Sequence, residues 1–156
     1  MYKSTRRATS TIAGAGEGVF AKKFIPNGTI IGQYNGYKKP LKDVDEKEMI
    51  YAADVGRNNV VIGTGLAAKI NDNIVMRKLN HQETHDAKNK GVFPTHPGKD
   101  INTQFIRTKL PGDTKYKIYV QATRDIQKGE ELFLSYGNQQ GGYWDAMFTN
   151  HDLYAY

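Results

Sequence analysis

Short β-forming runs that alternate with turn signals constrain the fold of this chain more than any other feature. The run at residues 29–34 is preceded by Asn27-Gly28 and followed by Asn35-Gly36, and Asn-Gly beside apolar runs is a strong signal for a tight turn. Further runs rich in β-branched and aromatic residues lie at 10–12, 19–21, 50–55, 59–63, 101–106, 116–123 and 132–136. The pattern predicts a mainly β domain of short antiparallel strands with short helices.

Helical and irregular segments interrupt this pattern. We expect a short helix after Pro40 and one or two helical turns at 65–70. Residues 73–100 carry few large apolar side chains, and so long a loop is uncommon in a compact domain unless it is functional, partly helical or mobile. The final segment, 138–156, is rich in aromatic residues, so we expect it to pack over the body of the domain.

Composition limits the class of protein. The 156 residues are 38% hydrophobic and 24% charged, which indicates one soluble globular domain. We expect the protein to be intracellular. No apolar run approaches the length needed to cross a membrane. The absence of cysteine excludes disulfides and thiolate zinc sites, and we expect no metal. The net charge is +6, but the basic residues are scattered along the chain, so we do not expect direct nucleic-acid binding.

Two segments stand out as candidate functional elements. Gly14, Gly16 and Gly18 precede the run at 19–21, and glycine lets a backbone turn sharply or lie close against a ligand. The spacing is not a dinucleotide fingerprint, so the segment is either a tight hairpin loop or a ligand-binding loop. The second segment, 128–137, contains a turn, two carboxylates and an apolar run that ends at Tyr136. The phenol of Tyr136 faces either the core or a cleft.

Four blocks of the chain resemble, in the same order, motifs of the SET domain, the fold of most protein-lysine methyltransferases. They are similar to its glycine motif, the end of the following strand, the split Asn-His and Pro-Asn motif, and the C-terminal signature that ends in a tyrosine. The blocks are residues 15–21, 34–36, 67–72 with 101–102, and 122–137. The resemblance implies a SET domain over 1–137 with an insertion at 73–100, and a post-SET-like aromatic segment without zinc at 138–156.

The resemblance also implies a binding site for S-adenosylmethionine and a channel for the substrate lysine. Tyr136 and Tyr34 are implied to be catalytic. The residues implied to contact the cofactor are Ala15, Gly16, Glu17, Gly18, Asn71, Asp72, Tyr136 and Trp144. The residues implied to line the lysine channel are Tyr34, Tyr51, Phe105 and Tyr136.

The chain departs from the family pattern at one motif. Asn71-Asp72 stands where the family has Asn-His, and the insertion at 73–100 follows it. A different placement uses Asn80-His81, which lacks the apolar run that precedes Asn71. The departure permits a catalytically silent SET-like module that binds peptide or cofactor without turnover. The net charge of +6 permits a basic nucleic-acid-binding β-domain as a further alternative.

Methyl transfer to lysine requires the neutral amine. With a pKa of about 10.4, roughly one lysine in two thousand is neutral at pH 7, a fraction that corresponds to about 4–5 kcal/mol. A narrow aromatic channel favours the neutral form by desolvation, and the rings and hydroxyls of Tyr34 and Tyr136 suit such a channel. The resemblance places Phe105, three residues after Asn102, where the family has a Tyr/Phe switch. Phenylalanine lacks the hydroxyl and so leaves room for a methylated amine, which implies di- or trimethylation.

We therefore expect S-adenosylmethionine-dependent methylation of lysine in a protein or peptide. A histone tail is the family's commonest substrate, and the acidic residues within 43–48 would attract such a tail. A histone substrate would locate the protein to the nucleus, on chromatin.

Overall fold

The computed structural model describes residues 2–49, 51–137 and 140–156, and the chain divides into two compact units. The first unit contains Met1–Asn71 and Ile101–Leu134, and the second contains Asp72–Asp100 and Ser135–Tyr156. The insertion at 73–100 and the aromatic C-terminal segment, which are far apart in sequence, therefore belong to the same unit. In the described ranges no helix is both long enough and apolar enough to span a bilayer.

The described part of the first unit consists of short strands in three antiparallel sheets. The strands are β1 (Thr5–Thr9), β2 (Glu17–Ala21), β3 (Ile30–Gln33), β4 (Gly36–Pro40), β5 (Ala52–Gly56), β6 (Asn59–Gly63), β7 (Thr103–Thr108) and β8 (Lys117–Ala122). Their orders are β1–β2, β3–β8–β7 and β4–β6–β5. The helical elements are 3-10 turns at Leu41–Asp43 and Leu66–Lys69 and the short helix α1 (Glu46–Met49). The predicted mainly β architecture is confirmed.

The central strand of each three-stranded sheet supplies much of the core. On β6, Val60 and Ile62 are 5% and 3% exposed, and on β8, Ile118 and Val120 are 5% and 0% exposed. Side chains two apart on a strand point to the same face, so each pair covers one face of its sheet. The β-branched side chains of these strands therefore explain both their extended backbone and their central position.

Three local predictions were wrong. The run at 10–12 is not a strand, because β1 ends at Thr9 and the chain bends at Thr11 and Ile12. Asn35-Gly36 is not a tight turn, because β4 begins at Gly36 and pairs with β6. A Cβ at Gly36 would overlap the carbonyl oxygen of Ile62, so glycine is needed there for close approach. The run at 132–136 forms only isolated bridges rather than a continuous strand.

The second unit contains two helices, α2 (His81–Lys90) and α3 (Tyr143–Asn150), in the part of the chain that the structure describes. Helix α2 begins at an N-cap, Asn80, and ends at Gly91, which takes a left-handed φ of 66°. The insertion is therefore partly helical, one of the three options that its length suggested. Its apolar residues pack with those of the C-terminal segment in one cluster: Ile74, Leu79, Ala87, Phe93, Trp144, Phe148 and Tyr154.

Candidate active site

The glycine segment connects β1 to β2, and the side chain of Asn71 is hydrogen-bonded to it. The Nδ2 group of Asn71 donates to the main-chain carbonyl of Glu17 at 3.0 Å. Gly16 takes a φ of +72°, which L side chains rarely adopt, and a Cβ there would meet open space. The segment is therefore a hairpin connection, as one interpretation predicted, and its exposed residue Glu17 contacts the amide of Asn71.

Glu131, a buried carboxylate that the sequence analysis did not single out, fixes the start of this segment. It is 5% exposed, and it accepts hydrogen bonds from the hydroxyl of Ser10 at 2.7 Å and from the main-chain N–H of Thr11 at 2.9 Å. Gly18 lies against it, since a Cβ at Gly18 would overlap its Oε1 atom. The sequence did contain a sign of this role, because Glu131 directly precedes the apolar run at 132–134. A charge next to a buried run is tolerated only when it has fixed hydrogen-bond partners.

The stretch after Glu131 is hydrogen-bonded to separate parts of the first unit. The N–H of Leu132 donates to the carbonyl of Val19 at 2.7 Å, and the N–H of Leu134 donates to the carbonyl of Asn71 at 2.9 Å. Two residues that are only two positions apart therefore have partners about fifty positions apart in sequence. A segment bonded in this way cannot form one continuous ladder, which is why the predicted strand is absent.

Asn102 completes these contacts through its side chain. Its Oδ1 accepts from the N–H of Phe133 at 2.8 Å, and its Nδ2 donates to the carbonyl of Glu131 at 2.9 Å. The residue is 0% exposed, so loss of this amide would leave a main-chain donor and a main-chain acceptor without partners in the core. Asn102 therefore has a structural role in the first unit.

Three of the residues predicted to line the lysine channel are in contact in the first unit: Tyr34, Phe105 and Tyr51. The hydroxyl of Tyr34 donates to the main-chain carbonyl of Tyr51 at 2.7 Å, and the ring centroids of Tyr34 and Phe105 lie 4.7 Å apart. Tyr34 is 5% exposed, whereas Phe105 and Tyr51 are 36% and 38% exposed. Tyr34 and Phe105 thus form an aromatic pair, and Tyr51 contributes its carbonyl to the contact with Tyr34.

Burial widens the pH range over which Tyr34 is neutral. Loss of water contact raises the pKa of Tyr34 well above its ordinary value of 10.0, and the neighbouring Tyr51 raises it further. The hydroxyl, which is neutral near pH 7 in any tyrosine, can orient an amine by hydrogen bonding. Gly63 is needed beside it, because a Cβ at Gly63 would overlap the Tyr34 hydroxyl.

In the second unit, the carboxylate of Asp72 binds Tyr136 and Trp144. Its Oδ2 accepts from the main-chain N–H of Tyr136 at 2.7 Å and from the indole N–H of Trp144 at 2.6 Å. Its Oδ1 accepts from the N–H of Asn73 at 2.6 Å. Burial raises the pKa of Asp72, and these N–H donors offset part of the rise. Asp72 therefore positions two other residues that the family resemblance assigns to the site.

Tyr136 belongs to an aromatic group with Trp144 and Tyr143. The rings of Tyr136 and Trp144 are parallel to within 3°, with centroids 6.1 Å apart. The ring of Tyr143 meets Tyr136 edge-on at 5.3 Å. Tyr136 is half-buried, so it is neither a fully enclosed core residue nor an exposed one. Its ring orientation is set by aromatic contacts and its backbone by Asp72.

The rival Asn80-His81 pair lies at the start of α2. The side chain of Asn80 accepts from the N–H of Glu83 at 2.8 Å, and the Glu83 side chain accepts in return from the N–H of Asn80 at 3.1 Å. This capping box is a sufficient physical reason for asparagine at that position. Asn71, by contrast, is bonded to the glycine segment, so we retain it as the candidate ligand-binding residue.

Comparison with known families agrees with these motifs. The profile of the SET domain matches residues 16–137, which include Gly16, Gly18, Asn71, Asn102 and Tyr136. The chain belongs to the SET-domain family, and the resemblance drawn from its motifs is confirmed.

One curated relative and two solved structures show the extent of the similarity. N-lysine methyltransferase KMT5A-A of Danio rerio is 27% identical over 128 residues, which cover 82% of this chain and 34% of that protein, so the chain spans about a third of its length. A candidate histone methyltransferase of Plasmodium falciparum, 18% identical, matches with a TM-score of 0.57 over 88% of this chain and 96% of that one. The ctPRC2 structure bound to S-adenosylmethionine, also 18% identical, has a TM-score of 0.61 over 97% of this chain and 17% of that one. The structural matches establish the fold.

Gly18→Ala tests the close contact between the glycine segment and Glu131. Because the added Cβ would overlap Oε1, Glu131 would have to move and lose hydrogen bonds, so we expect a loss of about 1–3 kcal/mol in the free energy of unfolding. Urea unfolding measures it. Gly65→Ala is the control, since its Cβ would meet no atom closer than 3.3 Å. Equal losses in the two variants would contradict this account of Gly18.

Acid titration of the fluorescence of Trp144 tests the role of Asp72. Trp144 is the sole tryptophan of the chain, and its indole N–H donates to Asp72. Because burial raises the pKa of Asp72 in the folded state, that state takes up the proton before the unfolded chain does as pH falls. The free energy of unfolding therefore falls as pH rises through the raised pKa, because the buried Asp72 then carries a charge. We expect a fluorescence transition centred above the ordinary aspartate pKa of about 3.9.

Two variants separate Asp72 from other acids. Asp72→Asn should abolish the transition and lower the free energy of unfolding by about 1–3 kcal/mol, because an amide NH₂ would face an N–H donor. Asp145→Asn should keep the transition, since Asp145 accepts from the Tyr154 hydroxyl and has a lowered pKa. An unchanged transition in Asp72→Asn would assign it to a different group.

Proposed function

We propose that this chain catalyses S-adenosylmethionine-dependent methyl transfer to the side-chain amine of lysine in a protein. The observation that carries the proposal is the buried Tyr34, with its ring against Phe105 and its hydroxyl held by a carbonyl, in a chain of the SET-domain family. Such an aromatic pair suits the reaction, because the amine must leave water and be held in a fixed orientation.

The residues proposed to hold the cofactor are Ala15, Gly16, Glu17, Gly18, Asn71, Asp72, Tyr136 and Trp144. S-adenosylmethionine supplies the methyl group on a sulfonium and also carries an amino group and a carboxylate. Asn71 fits the amino group: its Nδ2 is bound to Glu17, while none of the described residues donates to its Oδ1, which is therefore available as an acceptor. The open space beside Gly16 fits a ligand that lies close to the backbone.

The protein's part in catalysis is to favour and orient the neutral amine. The cost of deprotonating lysine at pH 7, about 4–5 kcal/mol, matches the pKa depression of 3–5 units that full desolvation can produce. Tyr34 remains neutral, and its oxygen keeps a lone pair that can accept a hydrogen bond from the amine. We propose that the hydroxyl of Tyr136 contributes a second oriented dipole, on a backbone held by Asp72.

We propose that the substrate is a histone tail and the site of action chromatin in the nucleus. The support is that the zebrafish relative is an N-lysine methyltransferase and that the Plasmodium neighbour is described as a histone methyltransferase. The acidic stretch 43–48 contributes less attraction than its sequence suggests. Lys39 and Tyr37 each approach Glu48 to 2.6 Å and hold its pKa at about 2, so one carboxylate is already paired.

Tyr136→Phe tests the catalytic assignment. Removal of the hydroxyl keeps the ring contacts with Trp144 and Tyr143, so the fold should survive, while methyl transfer to histones should fall by about 10²-fold or more if the hydroxyl orients the reacting groups. Radiolabelled methyl incorporation measures the rate. Tyr156→Phe, a change of the same size at an exposed residue, should leave the rate unchanged.

Full activity of Tyr136→Phe would overturn the role of that hydroxyl. If instead the wild-type chain transfers no methyl group, calorimetry with S-adenosylmethionine separates the remaining possibilities. Binding without turnover on any histone or basic peptide would indicate a catalytically silent SET-like module, the alternative that Asp72 in place of histidine permits.

Phe105→Tyr tests the proposed di- or trimethylation. Phe105 contacts the ring of Tyr34, and a hydroxyl added there would fill space and anchor a water where a methylated amine would otherwise fit. The variant should shift the products toward monomethyl-lysine, as read by mass spectrometry. Phe24→Tyr at another exposed phenylalanine should not. The same product distribution in Phe105→Tyr and the wild type would contradict the proposal.

A further inference from the structure

An open groove in the first unit collects basic side chains from four separate parts of the sequence. It has a volume of about 550 Å³ and is lined by residues of β3, β4, the β5–β6 hairpin and the β7–β8 pair. Among the described residues, its lining contains no carboxylate and six cations: Lys38, Arg57, Arg107, Lys109, Lys115 and Lys117. The groove is therefore strongly positive although the same residues are scattered along the chain.

Most of this charge is not neutralised by the protein. Lys117 pairs with Asp113 at 3.1 Å, but the other five cations form no ion pair with any residue that the structure describes. Four of these five, all but Lys38, come from hairpin ends or strand ends, and Arg57, Arg107 and Lys115 are exposed. Several uncompensated like charges around one concave surface raise the local potential and attract a polyanion.

An exposed tyrosine holds two of these cations. The guanidinium carbon of Arg107 lies 4.9 Å from the ring centroid of Tyr116, and the Nζ atom of Lys109 lies 5.0 Å from it. Cation–π attraction therefore limits the freedom of both side chains while leaving their N–H donors available. Tyr116 is 55% exposed, so part of its ring also remains accessible.

Arg57 occupies a position that does not favour arginine. It takes a φ of 55° at the tip of the β5–β6 hairpin, next to Asn58 at 58°, and positions of this kind in two-residue hairpin turns prefer asparagine or glycine. Local folding therefore does not explain an arginine here, whereas a contribution to the charge of the groove does.

We propose that this groove binds the phosphodiester backbone of a nucleic acid without sequence preference. Four of the six cations are lysines, which bind phosphate as point charges and do not require the bidentate geometry that arginine offers a carboxylate. A duplex presents a phosphate charge about every 1.7 Å of its axis, so several phosphates can contact the cations of the groove. The groove shares Tyr34 with the site proposed for methyl transfer, but its charge does not depend on that activity. Binding there would revise the expectation that the chain does not bind nucleic acid.

Fluorescence anisotropy with a labelled duplex of about 20 base pairs, without S-adenosylmethionine, tests the proposal. If four or five phosphates are contacted, affinity should fall about 100- to 500-fold between roughly 50 and 200 mM salt. The triple variant Arg57→Asn, Arg107→Gln, Lys115→Gln should bind at least about tenfold more weakly and should lower the salt slope by about 2–3. Asn suits the left-handed position of residue 57, so that change should not harm the hairpin.

The matched control removes the same net charge elsewhere: Lys22→Gln, Lys23→Gln and Lys128→Gln, all at exposed positions. It should keep the wild-type salt slope. Equal weakening in the two triple variants would show that net charge alone attracts DNA and would overturn the groove assignment, as would the absence of binding by the wild type. Tighter groove-dependent binding of a poly-glutamate peptide than of the duplex would assign the groove to an acidic protein instead.

Discussion

The hydrogen bonding of residues 131–134 is the constraint on which the first unit depends. These buried residues have no strand of their own, so each main-chain group must find a partner elsewhere. The N–H groups of Leu132 and Leu134 donate to Val19 and Asn71, and the amide of Asn102 serves two further groups. One short stretch therefore joins β2, which follows the glycine segment, to Asn71 and Asn102, which lie on the two sides of the insertion. Loss of the Asn102 amide would leave two of these buried main-chain groups without partners.

The segments at Asn71 and Leu134 continue into the second unit, where they are hydrogen-bonded to each other again. The chain leaves the first unit after Asn71 and again after Leu134, which are hydrogen-bonded to each other. The residues that follow in the second unit include Asp72 and Tyr136, and the carboxylate of Asp72 accepts from the N–H of Tyr136. A histidine at position 72 would offer that N–H at most one ring nitrogen and could not also accept from Trp144 and Asn73 through two oxygens. Aspartate therefore has a physical role in this chain, whatever its effect on catalysis.

The sequence predicted the strands whose signals are local and missed what depends on distant partners. The run at 59–63 became β6 with the predicted bounds, because its β-branched residues favour a central strand in most contexts. Gly36 was taken for a turn, but its role is the close approach of Ile62, a residue far along the chain. Glu131 looked like a turn carboxylate until its partners Ser10 and Thr11 were known. The order of the family motifs identified the candidate site residues, whereas spacing alone could not reveal these long-range contacts.

The basic groove raises the question of whether its charge also assists methyl transfer, since Tyr34 is among its lining residues. A cation about 10 Å from the substrate amine in a water-like medium would disfavour the ammonium form by about 0.4 kcal/mol, and a Debye length of about 8 Å would reduce this further. Five such cations would supply less than half of the 4–5 kcal/mol required. Desolvation beside Tyr34 must therefore provide most of the effect. A nucleic acid that neutralised the groove would therefore slow the proposed methyl transfer only modestly. If that nucleic acid were chromatin DNA, it would also keep the proposed histone substrate close to the protein.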